Sequence, residues 1–206
     1  MKISRIFAEN YKTYRHLDLN LEVEEDRPII LIGGGNGCGK SMIRKQLGLI
    51  CASQGVKSVS CSMDKRAGFD SNLGGFMVFS RDCEWLPTSI NTFNSVENFY
   101  TKEDLYVILD EIEIGMSEES QYGIALYINK HLDEFKQKNR GMLIITHSRW
   151  LVRNIDADEF INIDGMTKEE WLNREIIPTD FDELNNQSSK LFRALQDKME
   201  SAAKKR

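Results

Sequence analysis

The segment 32–41 reads IGGGNGCGKS, and five of its ten residues are glycine. Glycine loses more backbone freedom on folding than any other residue, so a cluster of glycines destabilises a chain unless it has another use. The apolar run IILI precedes this cluster, and SMIRKQLGLI follows it, with Ile43 and Leu47 four residues apart. A continuous apolar run is typical of a strand buried on both faces, and the four-residue spacing is typical of a helix. We therefore predict that the glycines join a buried strand to the start of a helix.

Within this segment, Gly34 is followed by four residues and then by Gly39, Lys40 and Ser41, which is the pattern GxxxxGK[ST]. Its backbone N–H groups turn inward around phosphate oxygens, helped by the positive end of the following helix. Lys40 supplies a charge for the β- and γ-phosphates, and the Ser41 hydroxyl can ligate Mg²⁺. The segment thus predicts a nucleoside triphosphate site formed by Gly34, Gly35, Asn36, Gly37, Cys38, Gly39, Lys40, Ser41 and Met42.

Two more apolar runs end in side chains suited to this chemistry. LYVILDE (105–111) ends in Asp110, a candidate metal ligand, and Glu111, which could polarise a water towards the γ-phosphate. MLIITHS (142–148) leads into His147. The ends of parallel strands share one sheet edge, where ligands of α/β folds bind, so we expect these side chains to lie near the triphosphate.

The chain as a whole alternates strand and helix patterns. Ile3–Phe7 and the alternating HLDLNLEV predict an antiparallel pair of strands at the N-terminus. The buried runs predict a mostly parallel core sheet, flanked by helices. The expected fold is α/β, of the P-loop NTPase type.

The motifs GGNGCGKS, ILDE and ITHS, in that order, resemble the ABC-type ATPase superfamily. The resemblance covers residues 1–165 and favours the soluble RecF/SMC-like and OLD-like branch. DEIEIGMSEES is similar to the segment of that branch that crosses the dimer interface. The resemblance implies an ATPase head that binds ATP and Mg²⁺ through Ser41 and Asp110, with Glu111 and His147 in catalysis. It also implies ATP-dependent homodimerisation within a larger assembly, with DNA-related or defence-related roles among its members.

Three features depart from that pattern. PTSINTFNSVENFY stands where the signature helix belongs, with Ser89 at an expected helix N-cap, but no Gly-Gly follows Ser89. No glutamine occurs between Gln54 and Gln121, so the usual Q-loop residue is missing or replaced. The stretch between the phosphate loop and Asp110 is too short for a long coiled coil. A plain capped helix and a degenerate signature both fit Ser89.

Three functions remain open at this stage. The first is an ATP-hydrolysing head, the second is an ATP-dependent switch with little turnover, and the third is a P-loop kinase for a small molecule or nucleotide. A kinase would need an arginine-rich lid; Arg149 and Arg153 lie just after His147, but they form no compact arginine cluster. The acidic pair and the later histidine favour hydrolysis over transfer to a substrate.

Composition limits the partners. The net charge is −5, so nucleic-acid binding is not indicated by charge. No apolar run approaches the roughly 20 residues that span a bilayer, and MKISRIFAENYK turns polar too soon for a signal peptide. Four cysteines without CxxC spacing suit a reduced, cytoplasmic chain.

We expect a helical extension over residues 166–206, packed on the head or on a partner protein. Leu191, Leu195 and Met199 recur at helical spacing, and Trp171 with Ile176 and Ile177 should anchor it. Cys38 lies within the phosphate loop near Lys40, where a thiolate is favoured. The alternative is that Cys38 is only a small residue tolerated in the loop.

Overall fold

The computed structural model describes residues 6–10, 15–19, 29–35, 40–53, 55–62, 88–100 and 102–178, with the single residues 180, 182 and 186. The strands are β1 (Ile6–Asn10), β2 (Arg15–Leu19), β3 (Ile29–Gly33), β4 (Ser58–Ser62), β5 (Tyr106–Asp110), β6 (Gly141–Ile145) and β7 (Glu159–Asn162). The helices are α1 (Lys40–Ser53), α2 (Thr88–Tyr100), α3 (Glu118–Lys130), α4 (Leu132–Lys138), α5 (Arg149–Asn154) and α6 (Lys168–Asn173).

Five strands form one sheet in the order β4–β5–β6–β3–β7, and every neighbouring pair is parallel. The predicted parallel core sheet is therefore confirmed. β6 lies between β3 and β5, with Ile32 opposite Ile145 on one side and Asp110 opposite Ile145 on the other. This order brings the segments after β3, β5 and β6 to the same edge of the sheet.

Alternate residues of the central strands enter two separate cores, which explains why their sequences are continuously apolar. In β3, Ile29 and Leu31 join one core, while Ile30 and Ile32 join the other. The helix α1 covers the second core with Ile43, Leu47 and Cys51. The first core is covered mainly by residues of α2, α3, α4 and α5, including Val96, Phe99, Ile124, Ile128, Phe135 and Leu151.

The strands β1 and β2 pair antiparallel as a separate two-stranded sheet, with Ile6 opposite Leu19 and Asn10 opposite Arg15. β1 lies beside α1. Among the helices of the described residues, none combines the length and apolarity that a bilayer crossing requires.

The segment after β7 departs from the prediction in one respect. Trp171 in α6 is fully buried and stacks obliquely on Phe160 of β7, as its predicted anchoring role requires. Ile176 and Ile177 are each 79% exposed, so they are not buried against the head, and anchoring on a partner protein stays a prediction. α6 ends at Asn173, because the next residue, Arg174, leaves the helical conformation with a ψ of 144°. Residues 187–206, with Leu191, Leu195 and Met199, lie outside the described residues, and the boundary at residue 165 stays a prediction.

Candidate functional site

Lys40 is the first residue of α1 and is buried, with 5% of its surface exposed. Its ammonium donates to the carbonyl oxygens of Gly34 at 3.2 Å and of Gly35 at 2.8 Å. A buried ammonium needs partners of this kind, because its desolvation is otherwise very costly. The carbonyls hold the charge beside the phosphate loop, where an anionic oxygen could replace them. Residues 36–39 of the loop lie outside the described residues, which leaves the predicted roles of Asn36, Gly37, Cys38 and Gly39 as predictions.

Glu111 follows β5 directly and has a φ of +54°, which side-chain-bearing residues rarely adopt. Its backbone N–H donates to the Ile145 carbonyl oxygen at 2.8 Å, so the end of β6 fixes this conformation. Strain of roughly 1–3 kcal/mol at such a position persists only where surrounding contacts enforce it, and it is concentrated at functional sites. This backbone conformation directs the Glu111 carboxylate across the end of β6.

His147 lies between Lys40 and Glu111. Its Nε2 is 2.9 Å from the Glu111 Oε1, and its Nδ1 is 3.5 Å from the Lys40 Nζ. An ionised carboxylate only accepts, so the Nε2–H of His147 is the donor to Glu111. A neutral imidazole that donates from Nε2 can accept from the Lys40 ammonium at Nδ1. The hydrogen bond from His147 lowers the pKa of Glu111, with the charges of Lys40 and Arg44 adding to the effect and burial opposing it. Three predicted site residues are thus joined in one chain of contacts.

Asp110, the predicted metal ligand, is buried at the end of β5 with 5% of its surface exposed. Its Oδ2 is 3.0 Å from the Nε of Arg44, a residue of α1 that sequence reasoning missed. The Nη1 of Arg44 also donates to the Ser62 hydroxyl at 2.5 Å. Ser62 ends β4 and lies directly opposite Asp110 in the sheet register. A signal was present in the sequence, because Arg44 is one helical turn from Lys40 and lies on the same side of α1.

Glu113 is hydrogen-bonded to the turn that follows β6. Its Oε1 accepts from the Thr146 hydroxyl at 2.7 Å and from the His147 backbone N–H at 2.8 Å, and the side chain is buried. These two bonds fix the turn that carries His147 away from β6. Glu113 therefore positions His147, a role that its place in the sequence did not suggest.

Asp164 is a second residue that sequence reasoning missed. Its Oδ2 accepts from the backbone N–H of Gly35 at 2.8 Å. Asp164 lies in the turn after β7, where the Asn162 side chain accepts from the backbone N–H groups of Asp164 and Met166. The short motif NIDG is typical of such a turn, but only the β3–β7 pairing brings it to the phosphate loop.

Ser89 lies in the first turn of α2, because that helix begins at Thr88. The prediction that Ser89 is the N-cap is therefore wrong, because an N-cap at Ser89 would start the helix at Ile90, two residues later than observed. One turn later, the Thr92 hydroxyl donates to the Ile112 carbonyl oxygen at 3.4 Å. This end of α2 consequently lies near the segment that follows Glu111.

The described residues contain no group of three or more His, Cys, Asp or Glu side chains that could enclose a metal ion. Mg²⁺ in nucleotide sites needs no such cage, since one carboxylate or hydroxyl and the phosphates suffice. Asp110 offers a suitable oxygen at the correct sheet edge, and Ser41 follows Lys40 at the start of α1. The residues present fit Mg²⁺, although Asp110 must share its carboxylate with Arg44.

No protein family model matches the chain, and no curated protein matches it. Among solved structures, 51 chains match. One of these is the structure of C. elegans PCH-2, which is 18% identical over 68% of this chain, with a TM-score of 0.32. The match covers 37% of the PCH-2 chain, so this chain spans little more than a third of that protein. A five-stranded, all-parallel sheet with helices on both sides fits a P-loop NTPase-like fold.

Proposed function

We propose that this chain is an ATP-binding and ATP-hydrolysing head of the ABC type, related to the RecF/SMC-like and OLD-like ATPases. The observation that carries the proposal is the line of contacts from Lys40 through His147 to Glu111. These three side chains come from α1, from the turn after β6 and from the end of β5. A structural role alone would not require a buried lysine, a histidine and a backbone-strained glutamate at one sheet edge.

Each residue has a distinct task in the proposed reaction. Lys40 would exchange the carbonyl oxygens of Gly34 and Gly35 for phosphate oxygens, a stronger charge-assisted contact. Mg²⁺, when bound, would neutralise charge on the phosphate oxygens. Glu111 would orient the attacking water and accept its proton, which requires an ionised carboxylate. The pKa of the Glu111 carboxyl lies below its ordinary value of 4.5, so the group is ionised at neutral pH.

His147 would act as a contact to the terminal phosphate. In the described arrangement its Nε2–H points at Glu111, so the same proton could be redirected to a phosphate oxygen. That change would release the Glu111 carboxylate for the water. Glu113 holds the backbone of His147 in place, which limits the movement to the imidazole ring.

The family resemblance supports a further part of the proposal, in which two copies of the chain enclose ATP between them and drive a larger assembly. The test is size-exclusion chromatography with light scattering, with and without ATP–Mg²⁺, on the wild type and on Glu111→Gln. The chain has a mass of 23.8 kDa, and Glu111→Gln with ATP should reach twice that mass. A variant that binds ATP and stays monomeric would exclude the dimer.

Turnover measurements on the same proteins test the ATPase itself. Glu111→Gln should bind ATP and lose about 10²–10⁴-fold in hydrolysis rate, because an amide cannot accept the proton. His147→Ala should lose less, because it removes a phosphate contact and not the base. Hydrolysis by Glu111→Gln at the wild-type rate would refute the assignment of Glu111.

A second candidate function is a switch that binds ATP with little turnover. The 2.9 Å contact between His147 and Glu111 favours it, because a carboxylate held by histidine is a poor acceptor until that contact breaks. Tight ATP binding by the wild type, with a mass change on binding and negligible phosphate release, would select the switch over the hydrolase.

A further inference from the structure

Arg44 is a buried arginine on the side of α1 that faces the sheet, with 6% of its surface exposed. Its helical neighbours Ile43 and Leu47 enter the apolar core. An apolar residue of similar volume would be cheaper at such a position, because a buried ion pair rarely repays the desolvation of both charges. The packing of α1 therefore does not explain why this residue is an arginine.

The partners of Arg44 indicate another reason. Its guanidinium spans the ends of two adjacent strands, contacting Asp110 at 3.0 Å and the Ser62 hydroxyl at 2.5 Å. Both partners are buried, Ser62 with 2% and Asp110 with 5% exposed. Arginine remains charged at any physiological pH, so Asp110 always faces one full positive charge. Asp110 is also the carboxylate at which a nucleotide-bound metal would be held.

We infer that Arg44 is a positioning residue that shares Asp110 with the divalent metal and thereby reduces the dependence of nucleotide binding on that metal. This inference deepens the proposed function and rests on it. A metal that approaches Asp110 meets a carboxylate already neutralised by Arg44 and is repelled by the guanidinium. The positive charge of Arg44 also acts on Glu111 at this sheet edge, together with that of Lys40. A triphosphate bound there would therefore keep part of its electrostatic attraction when metal is absent.

Two variants separate the charge of Arg44 from its shape. Arg44→Gln keeps a donor for Ser62 and Asp110 but removes the positive charge. Arg44→Lys keeps the charge but loses the planar fork. The control is Arg140→Gln, because Arg140 pairs through its Nε with the carboxylate of Asp104 at an exposed position. The same kind of pair is altered there, without any contact to Asp110.

The measurement is the affinity of the β,γ-imido analogue of ATP, by calorimetry, in EDTA and in Mg²⁺. The ratio of the dissociation constant in EDTA to the dissociation constant in Mg²⁺ reports how strongly binding depends on metal. The ratio should rise about tenfold or more in Arg44→Gln. The metal and the Arg44 guanidinium repel each other in a shielded site, and the variant removes this repulsion. Arg44→Lys and Arg140→Gln should both keep the wild-type ratio within about threefold, since the repulsion is electrostatic.

An unchanged ratio in Arg44→Gln would overturn the inference, and so would an equal rise in Arg44→Lys. The wild type gives an independent measurement in case Arg44→Gln does not fold. The wild type should retain measurable affinity for the analogue in EDTA, and binding that requires metal absolutely would overturn the inference too. If the wild type binds no analogue in either condition, the proposed function itself fails. Analogue binding with one common ratio for all variants rejects only the role of Arg44.

Discussion

The imidazole of His147 donates from Nε2 to Oε1 of Glu111 at 2.9 Å, across the ends of two adjacent parallel strands. Two local structural features produce this contact. Glu111 has a left-handed backbone conformation, and Glu113 holds the backbone N–H of His147. Together they bring a carboxylate and a histidine to the same place as Lys40. The hydrogen bond between His147 and Glu111 is therefore linked to the stability of the fold as well as to the proposed chemistry.

The first prediction concerns acid stability. The hydrogen bond from His147 is the largest cause of the lowered pKa of Glu111, so it stabilises the folded protein while Glu111 is ionised. This stabilisation is present above the ordinary value of 4.5 and is lost as pH falls through the lowered pKa of the folded state. The difference in unfolding free energy between wild type and His147→Ala should therefore shrink on acidification. Urea unfolding from pH 7 down to acid measures this difference.

His131→Ala is the matched control for this prediction. His131 lies 3.5 Å from Glu134, and Lys138 is the larger cause of the lowered pKa of Glu134. Lys138 remains in the variant, so the pH dependence of stability should change less than in His147→Ala. A difference for His147→Ala that stays constant across the pH range would contradict the linkage.

The second prediction concerns Lys40. Lys40→Ala should weaken ATP–Mg²⁺ binding by several kcal/mol, because a buried ammonium beside the loop is lost against multiple phosphate charges. Lys136→Ala is the control, since Lys136 is a half-exposed lysine paired with Asp158 at 2.6 Å. Calorimetry should find wild-type affinity for that variant. If Lys40→Ala bound ATP as tightly as wild type, the segment would not be a phosphate loop.

Much of this site could be predicted because its residues follow continuously apolar strands. β3, β5 and β6 are buried on both faces, so their sequences could hardly be anything but apolar runs. Each run ends where the chain leaves the sheet, and polar residues begin there. The order of motifs along the chain therefore indicated one shared sheet edge before any contact was known.

The contacts of Arg44 and Asp164 could not be predicted from the strand patterns of the sequence. Asp164 meets Gly35 across 129 residues of sequence, and only the adjacency of β3 and β7 brings them together. Arg44 follows the motif closely, but its role depends on the alignment of Ser62 with Asp110 in neighbouring strands. Sequence periodicity specifies which face a residue occupies, but it does not specify which strand lies opposite. The exposure of Ile176 could not be predicted for a related reason, because apolar character alone does not decide burial.

The third prediction concerns Gly33 at the end of β3. A Cβ at this position would lie 2.9 Å from two atoms of the Phe160 ring, with Trp171 behind it at 3.5 Å. Because Trp171 is fully buried, Phe160 has little room to withdraw, and Gly33→Ala should destabilise the fold by about 1–3 kcal/mol.

Gly48→Ala provides the control, since a Cβ at Gly48 in α1 meets nothing within 4 Å. Alanine has the better helix propensity, so this variant should be more stable than wild type by roughly 0.5–1 kcal/mol. Thermal and urea unfolding of both variants measure the two opposite shifts. A Gly33→Ala variant as stable as wild type would mean that β3 and β7 are not packed as described.

The last prediction concerns Asp164, whose carboxylate holds the N–H of Gly35 at 2.8 Å. Asp164→Ala leaves that N–H without its acceptor, which costs roughly 1–3 kcal/mol where water cannot replace it. Asp164→Asn keeps an oxygen acceptor but removes a negative charge close to the phosphate loop. Removing like charge favours an anionic ligand, so Asp164→Asn should bind ATP at least as tightly as wild type, whereas Asp164→Ala should bind it more weakly.

Asp156→Ala, at an exposed position, should leave the affinity unchanged. Calorimetry on the three variants, with their unfolding free energies, separates the two effects of the carboxylate. Equal loss of affinity in Asp164→Ala and Asp164→Asn would show that the charge of Asp164, and not its hydrogen bond, supports the loop.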